Sequence, residues 1–259
     1  MEIVRYEPGV PSWVDMGSPN PQGAADFYGA LFGWDAPEGP PETGGYRVAM
    51  VGDRAVAGIG PQQNPGPPVW ATYVAVDDAD GAAAKVAAAG GQSLVPPMDV
   101  LDVGRMAVFT DPAGAVFAVW QAGTHPGAQL VNEPGTWSWS ELLTTDVEGA
   151  KAFYGAVFGW TAHSQGAGPT GEYTEWQVSG RSVGGMMQKP PMLPAEVPPH
   201  WAVYFAVSDA DAAVSRVAEL GGSVMMPPMD IEPGRFAVVA DPYGAVFNVI
   251  ALKPELGDA

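Results

Sequence analysis

Cysteine is absent from this chain of 259 residues, and histidine occurs only three times. Without cysteine the protein has no disulfide, no thiolate metal site and no cysteine nucleophile. Any metal ion would therefore need carboxylate and histidine ligands, and the only histidines are His125, His163 and His200.

Basic residues and long apolar runs are also scarce. The chain has 11 basic against 29 acidic residues, a formal net charge of -18, which repels phosphate backbones and anionic lipid headgroups. No segment approaches the ~20 consecutive apolar residues that a membrane span needs, and charges near the N-terminus replace the apolar core of a signal peptide. We therefore expect a soluble cytoplasmic protein that binds neither nucleic acid nor membranes.

The sequence repeats itself over most of its length. FYGALFGW at residues 27–34 returns as FYGAVFGW at 153–160, and DPAGAVF at 111–117 returns as DPYGAVF at 241–247. Copies of this length have the size of complete domains rather than of solenoid repeats. The repeat predicts a tandem duplication, with domain 1 over residues 10–123, a linker over 124–135 and domain 2 over 136–253.

Each copy divides again at a proline-rich stretch, residues 61–68 in the first and 190–199 in the second, so that the chain has four units. In each unit a short strand precedes a helix and further strands; Asn20 with Pro21 is typical of a helix start, and Gly33 of a helix end. The pattern predicts an α+β fold of four βαβββ units, in which each copy curls a mixed sheet around a concave pocket.

These motifs resemble those of the glyoxalase I, bleomycin-resistance and extradiol-dioxygenase group, the vicinal oxygen chelate superfamily. The resemblance rests on AADFYGALFGW and GAKAFYGAVFGW, on VDDAD and VSDAD at the start of the second helix of each copy, and on the endings DPAGAVFAVW and DPYGAVFNVI. It covers nearly the whole chain and implies the fold, whereas function has to be argued from the site.

Enzymes of that group typically hold one divalent ion with His, Gln or Glu side chains from four strands. The resemblance places these ligand positions on Trp13, Gly58, Ala71 and Ala118 in the first copy and on Trp139, Gly185, Ala202 and Asn248 in the second. All but Asn248 lack a side chain that can bind a cation. We therefore predict no metal ion and no cofactor in either copy. His200 would reach a ligand position only after a one-residue slip, and we interpret it as a loop histidine at a strand entrance.

Two carboxylates share a strand face with the tryptophans, because side chains two residues apart on a strand point the same way. Asp15 accompanies Trp13, and Glu141 accompanies Trp139. An enclosed apolar cavity would raise the pKa of either carboxyl group and suit a general acid or base, so Asp15 and Glu141 are the candidate catalytic residues. A structural carboxylate bonded to backbone or to arginine is an equally good interpretation.

The candidate ligand-binding residues are mostly aromatic, because flat rings suit an aromatic ligand. Packing within the core is the alternative for most of them. The candidates are Trp13, Tyr73 and Trp120 in domain 1 and Trp139, Tyr204 and Asn248 in domain 2.

The leading hypothesis is a protein, monomer or homodimer, that binds a small, partly aromatic or oxygenated metabolite in a metal-free pocket. The first alternative is a metal-independent lyase, isomerase or oxygenase of secondary metabolism with Asp15 or Glu141 as acid or base, and domain 2 is favoured for it because its matching positions are more polar. The second alternative, a metal-dependent lyase or dioxygenase, is opposed by the missing ligands.

Overall fold

Two mixed β-sheets and four α-helices make up the computed structural model, which describes residues 1–168 and 171–253. The strands of the first sheet are β1 Pro11–Ser18, β2 Arg47–Val51, β3 Arg54–Pro61, β4 Trp70–Ala75, β5 Gln92–Val100, β6 Gly104–Thr110 and β7 Val116–Ala122. The strands of the second sheet are β8 Trp137–Thr144, β9 Thr161–Gly168, β10 Gly171–Val178, β11 Arg181–Gln188, β12 His200–Ala206, β13 Ser223–Ile231, β14 Gly234–Ala240 and β15 Val246–Leu252. The helices are α1 Pro21–Phe32, α2 Ala79–Ala88, α3 Val147–Phe158 and α4 Ala210–Glu219.

The strand orders of the two sheets correspond. The first sheet runs β2-β3-β1-β4-β7-β6-β5, and the second runs β9-β10-β11-β8-β12-β15-β14-β13. In each, the first strands of two successive units, β1 with β4 and β8 with β12, pair antiparallel at the centre. The predicted α+β fold of two tandem domains is confirmed; domain 1 carries α1 and α2, and domain 2 carries α3 and α4.

The first unit has one strand fewer than the other three. In the place that β9 takes in domain 2, domain 1 has an isolated bridge between Asp35 and Met50 and a short 3₁₀ turn, Pro41–Thr43. The intervening segment, PEGPPETGG at residues 37–45, is rich in proline and glycine. Proline has no N–H for a strand ladder, so this segment cannot continue the pairing.

The helix ends follow the predicted signals. Asn20 caps α1 by accepting a hydrogen bond from the backbone N–H of Gly23, and Gly33 ends the helix with a left-handed φ of 78°. Asp78 caps α2 in the same way. Within the described part of the chain, no helix has the length and apolar character that crossing a membrane requires.

The repeated motifs form the contact between the domains. Tyr28 of α1 donates a hydrogen bond to Asp241 of domain 2, and Tyr154 of α3 donates one to Asp111 of domain 1, at 3.3 and 3.1 Å. Trp34, which follows α1, donates to the Gly135 carbonyl oxygen at 2.6 Å. The helix-covered faces of the two sheets therefore pack against each other, and the opposite faces, which we call the concave faces, point away from this contact.

Candidate ligand-binding faces

Strand alternation places the two predicted carboxylates on the concave faces. In β1, Val14 and Met16 are buried beneath the helices, and strand alternation places Trp13, which is itself only 4% exposed, and Asp15 on the other side. Asp15 lies opposite Gly58 on β3 and opposite Ala71 on β4. Glu141 of domain 2 has the corresponding neighbours, Gly185 and Ala202.

A tyrosine lies diagonally across from each carboxylate. Tyr73 pairs with Trp13 and with Ala118, as Tyr204 pairs with Trp139 and with Asn248. The register therefore brings the four positions that the resemblance assigns to metal ligands onto one face, around a carboxylate and a tyrosine.

In domain 1 the polar groups form one hydrogen-bonded cluster. The hydroxyl groups of Tyr46 and Tyr73 both donate to Asp15 Oδ2, each at 3.0 Å. Trp13 Nε1 donates to the Tyr46 hydroxyl at 2.9 Å. Burial raises the pKa of Asp15 from 3.8 to about 6, and the two tyrosine hydrogen bonds, which favour the ionised form, oppose part of this rise.

Domain 2 repeats the cluster with a longer acid. Tyr204 donates to Glu141 Oε1 at 3.1 Å, and Trp139 Nε1 donates to the Tyr173 hydroxyl at 2.9 Å. Glu141 is only 7% exposed. Burial raises its pKa, against hydrogen bonds from Tyr173 and Tyr204 that lower it.

A glycine beneath each cluster is required by the tyrosine above it. A Cβ atom at Gly58 would collide with the hydroxyl group of Tyr46, and one at Gly185 would collide with that of Tyr173. The tyrosine hydroxyl thus fills the space into which a side chain from this strand position would extend. Neither glycine has a left-handed φ, so the requirement is spatial.

The surroundings of the two clusters differ. Asn248, which is buried and donates to the Val203 carbonyl oxygen at 3.3 Å, stands where domain 1 has Ala118. On the outer side of Glu141, Leu143 lies between Met187 and His200. At the matching places domain 1 has Gly17, Gly60 and Val69.

Domain 1 has an additional ring on its concave face. His125, in the predicted linker, meets the ring of Trp13 edge-on at 4.5 Å between centroids, and its carbonyl oxygen accepts a hydrogen bond from Trp120 Nε1 at 2.9 Å. Burial lowers the pKa of His125 to about 4. The linker therefore covers part of this face with a neutral imidazole.

The comparison with known families agrees with this geometry. A sequence model of the Glyoxalase/Bleomycin resistance protein/Dioxygenase superfamily matches residues 11–119 and residues 138–249. The chain belongs to this superfamily. Members of the superfamily bind small-molecule substrates.

Relatives of similar length exist. The chain is 45% identical over 259 residues to "Putative glyoxylase CFP32" of Mycobacterium bovis, covering 97% of this chain and 98% of the relative. It is 41% identical over 267 residues to the anthracycline biosynthesis protein DnrV of Streptomyces peucetius, covering 97% and 96%. Among solved structures, the Mn(II)-bound glyoxalase from Novosphingobium aromaticivorans aligns with a TM-score of 0.66 at 17% identity, over 95% of this chain and 83% of that one. This last likeness concerns the fold alone.

The side chains at the superfamily's ligand positions do not fit a metal ion. In domain 1 they are an indole that donates only, a glycine and two alanines; domain 2 differs by a single amide, that of Asn248. Across residues 1–168 and 171–253 no three His, Asp or Glu side chains come together as a metal site.

The structure brings most of the predicted site residues together. Trp13, Asp15 and Tyr73 share one cluster, and Trp139, Glu141 and Tyr204 share the other. Sequence reasoning missed three contributors: the hydroxyl groups of Tyr46 and Tyr173 as carboxylate partners, and His125. The glycines at 58 and 185 were the available signal, because a glycine inside a strand often marks the close approach of another group.

Two surface clefts among the described residues lie away from both carboxylates. One, of about 400 Å³, lies beside α1 where domain 1 lacks a strand, and the other, of about 220 Å³, lies between Asp99 and Gln121. The buried Arg47 in the first cleft donates to the Ala36 carbonyl oxygen and to Gln22. Arg47 Nε has no hydrogen-bond partner among the described residues, but neither cleft contains a residue from the superfamily's ligand positions, so we place the candidate site on the concave faces.

Proposed function

We propose that the protein binds a small, planar, oxygenated aromatic metabolite on a concave face without a metal ion, principally on domain 2. The observation that carries the proposal is the hydrogen-bonded tryptophan, tyrosine and carboxylate cluster at the superfamily's metal position. Aromatic rings offer flat contact area, and a buried carboxylate offers a strong acceptor that fixes orientation.

The carboxylates favour a ligand that donates a hydrogen bond. Both tyrosines of domain 1 use Oδ2 of Asp15, and Oδ1 accepts no hydrogen bond from the described residues. A hydroxyl group of a ligand can supply that bond. An anionic ligand is disfavoured by the buried acids and by the net charge of -18.

Two relatives support an aromatic product of secondary metabolism as the ligand. DnrV of Streptomyces peucetius and DauV of a Streptomyces species, 41% and 40% identical to this chain, are both named anthracycline biosynthesis proteins. Anthracyclines contain a hydroxylated anthraquinone, which is planar, aromatic and able to donate hydrogen bonds. This chemistry matches the cluster.

Calorimetric titration with a dihydroxyanthraquinone tests the proposal. We expect the wild type to bind it, and Glu141→Gln to weaken binding about tenfold or more, because hydrogen bonds to charged groups contribute about 1.5–3 kcal/mol and each 1.4 kcal/mol is tenfold. Asp15→Asn is the corresponding change in domain 1, and because we place the principal site on domain 2 it should change affinity less than threefold. Metal analysis of protein purified without chelator is the second arm, and a stoichiometric divalent ion would contradict the metal-free site.

Catalysis is the second candidate, and the raised pKa of the half-buried Asp15 and the buried Glu141 favours it. A carboxyl group with a pKa of about 6, as in Asp15, exchanges protons near neutral pH and can act as acid or base. Turnover of a bound aromatic metabolite that is lost in Glu141→Gln, while binding persists, would establish an enzyme. Unchanged turnover in both carboxylate variants would remove the acid-base role.

A further inference from the structure

His200 lies on the concave face of domain 2, two residues from Ala202 along β12. Its strand neighbour Trp201 donates to Tyr154 beneath the helices at 3.0 Å, so the side chain of His200 points to the opposite side. His200 pairs with Leu143, and Glu141 is its diagonal neighbour. Diagonal neighbours in an antiparallel pair lie roughly 7–8 Å apart, within the span of one small planar ligand.

A hydrogen bond determines which ring nitrogen of His200 carries the proton. Nδ1 lies 2.8 Å from the carbonyl oxygen of Pro198. A carbonyl oxygen only accepts, so Nδ1 must donate, and in the neutral imidazole the proton is therefore on Nδ1. Nε2 then has a lone pair and acts as an acceptor.

We propose that His200 Nε2 accepts a hydrogen bond from a ligand hydroxyl and makes domain 2 selective for hydroxylated over O-methylated aromatic ligands. This inference rests on the proposed function, since it concerns the ligand bound beside Glu141. The imidazole and the carboxylate then bind two different donors of one molecule. Leu143, between His200 and Met187, forms the apolar surface beneath the ring system.

Domain 1 provides the internal reference. At the position of His200 it has Val69, which precedes β4 and is 62% exposed. A valine side chain has no acceptor. The difference predicts selectivity in domain 2 that domain 1 lacks.

The test compares a dihydroxyanthraquinone with its dimethoxy analogue by calorimetric titration. We expect the wild type to prefer the hydroxylated probe about tenfold. His200→Leu should lose most of that preference, because only the binding of the hydroxylated probe becomes weaker. His200→Gln should restore part of it, because the amide oxygen also accepts a hydrogen bond. Val69→Ala is the matched control and should behave as the wild type.

Nitrogen NMR of imidazole-labelled protein supplies a readout that does not depend on affinity. We expect the Nδ1-protonated form in the ligand-free protein and a shift of the Nε2 resonance when the hydroxylated probe binds. An Nε2-protonated ring, or equal selectivity in His200→Leu and the wild type, would overturn the role of His200 and leave the proposed function standing. A wild type that binds neither probe would instead contradict the proposed function, and NMR would still show which nitrogen of His200 carries the proton.

Discussion

The concave faces of the two domains share their centre and differ at their edges. Both have a tryptophan that donates to a tyrosine, and a carboxylate that accepts from a tyrosine on the neighbouring unit. Around this centre, domain 1 has Ala118, Val69 and the linker residue His125, whereas domain 2 has Asn248 and His200. The shared centre satisfies buried polar groups in both domains, as any folded protein requires. The centre therefore offers the same polar contacts in both domains, and only the edges can make their binding differ.

At the contact between the domains, by contrast, the two halves make the same hydrogen bonds. Tyr28 and Tyr154 each accept from a tryptophan of their own domain, Trp70 or Trp201, at 3.1 and 3.0 Å, and each donates to an aspartate of the other domain. These four hydrogen bonds recur in both halves even where the concave faces differ. Tyr28 and Tyr154 with Asp111 and Asp241 belong to the most similar motifs of the two copies, so these motifs hold the domains together.

Introducing a side chain beneath each cluster should have the largest effect. Gly185→Ala and Gly58→Ala should each displace the overlying tyrosine and destabilise the protein by about 1–3 kcal/mol, as overpacked sites do. Only Gly185→Ala should also abolish binding of the aromatic probe, because we place the principal site on domain 2. Thermal denaturation measures the loss of stability, and titration measures the loss of binding. An equal loss of binding in both variants would contradict a principal site on domain 2.

Removing one hydroxyl group at the domain contact should cost nearly the same in either half. Tyr28→Phe and Tyr154→Phe each leave a buried aspartate oxygen and an indole N–H without this partner, at a cost of about 1–3 kcal/mol. Denaturant unfolding gives the free energies. A large difference between the two variants would show that the contact is not symmetric.

The raised pKa of Asp15 predicts a pH-dependent stability. Because its pKa is about 6 in the folded protein and 3.8 ordinarily, the folded state holds this proton more tightly, and its contribution to stability is lost as pH rises from about 4 to about 6. Relative to the wild type, Asp15→Asn should therefore gain about 2 kcal/mol between pH 4 and pH 7. The contribution of His125, whose lowered pKa acts in the opposite direction, is present in both proteins and cancels. A constant difference across this range would contradict the burial of Asp15.

Exchanging the amide and the methyl group at the inner edge should have the smallest effect. Asn248→Ala should weaken binding of the aromatic probe about threefold to tenfold, the value of one neutral hydrogen bond. Ala118→Asn, the reciprocal change in domain 1, should leave that affinity unchanged. If Ala118→Asn alters the affinity as much as Asn248→Ala does, both concave faces bind the probe, and the site is not principally on domain 2.

Much of the fold was accessible from the sequence, because the repeat and the helix signals at Asn20 and Gly33 are local. The shared face of Trp13 and Asp15 was equally accessible, since it depends only on strand alternation. The contact of Asp15 with Tyr46 was not, because Tyr46, just before β2, reaches it over Gly58, and no local pattern specifies that approach. The prolines between residues 37 and 45 indicate that the first unit lacks a strand. The prediction of four identical βαβββ units did not take them into account. The position of His125 depends on the path of the linker, which composition does not determine.

The tyrosine of each half donates to an aspartate of the other half, and this fused arrangement affects how the two concave faces can evolve. In a dimer of identical subunits every substitution appears twice, so both sites change together. Here the two halves are encoded separately, and a new side chain at position 200 or 248 alters one site only. Residues of both helix-covered faces keep the two halves assembled, so the concave face of one half can change without loss of the assembly.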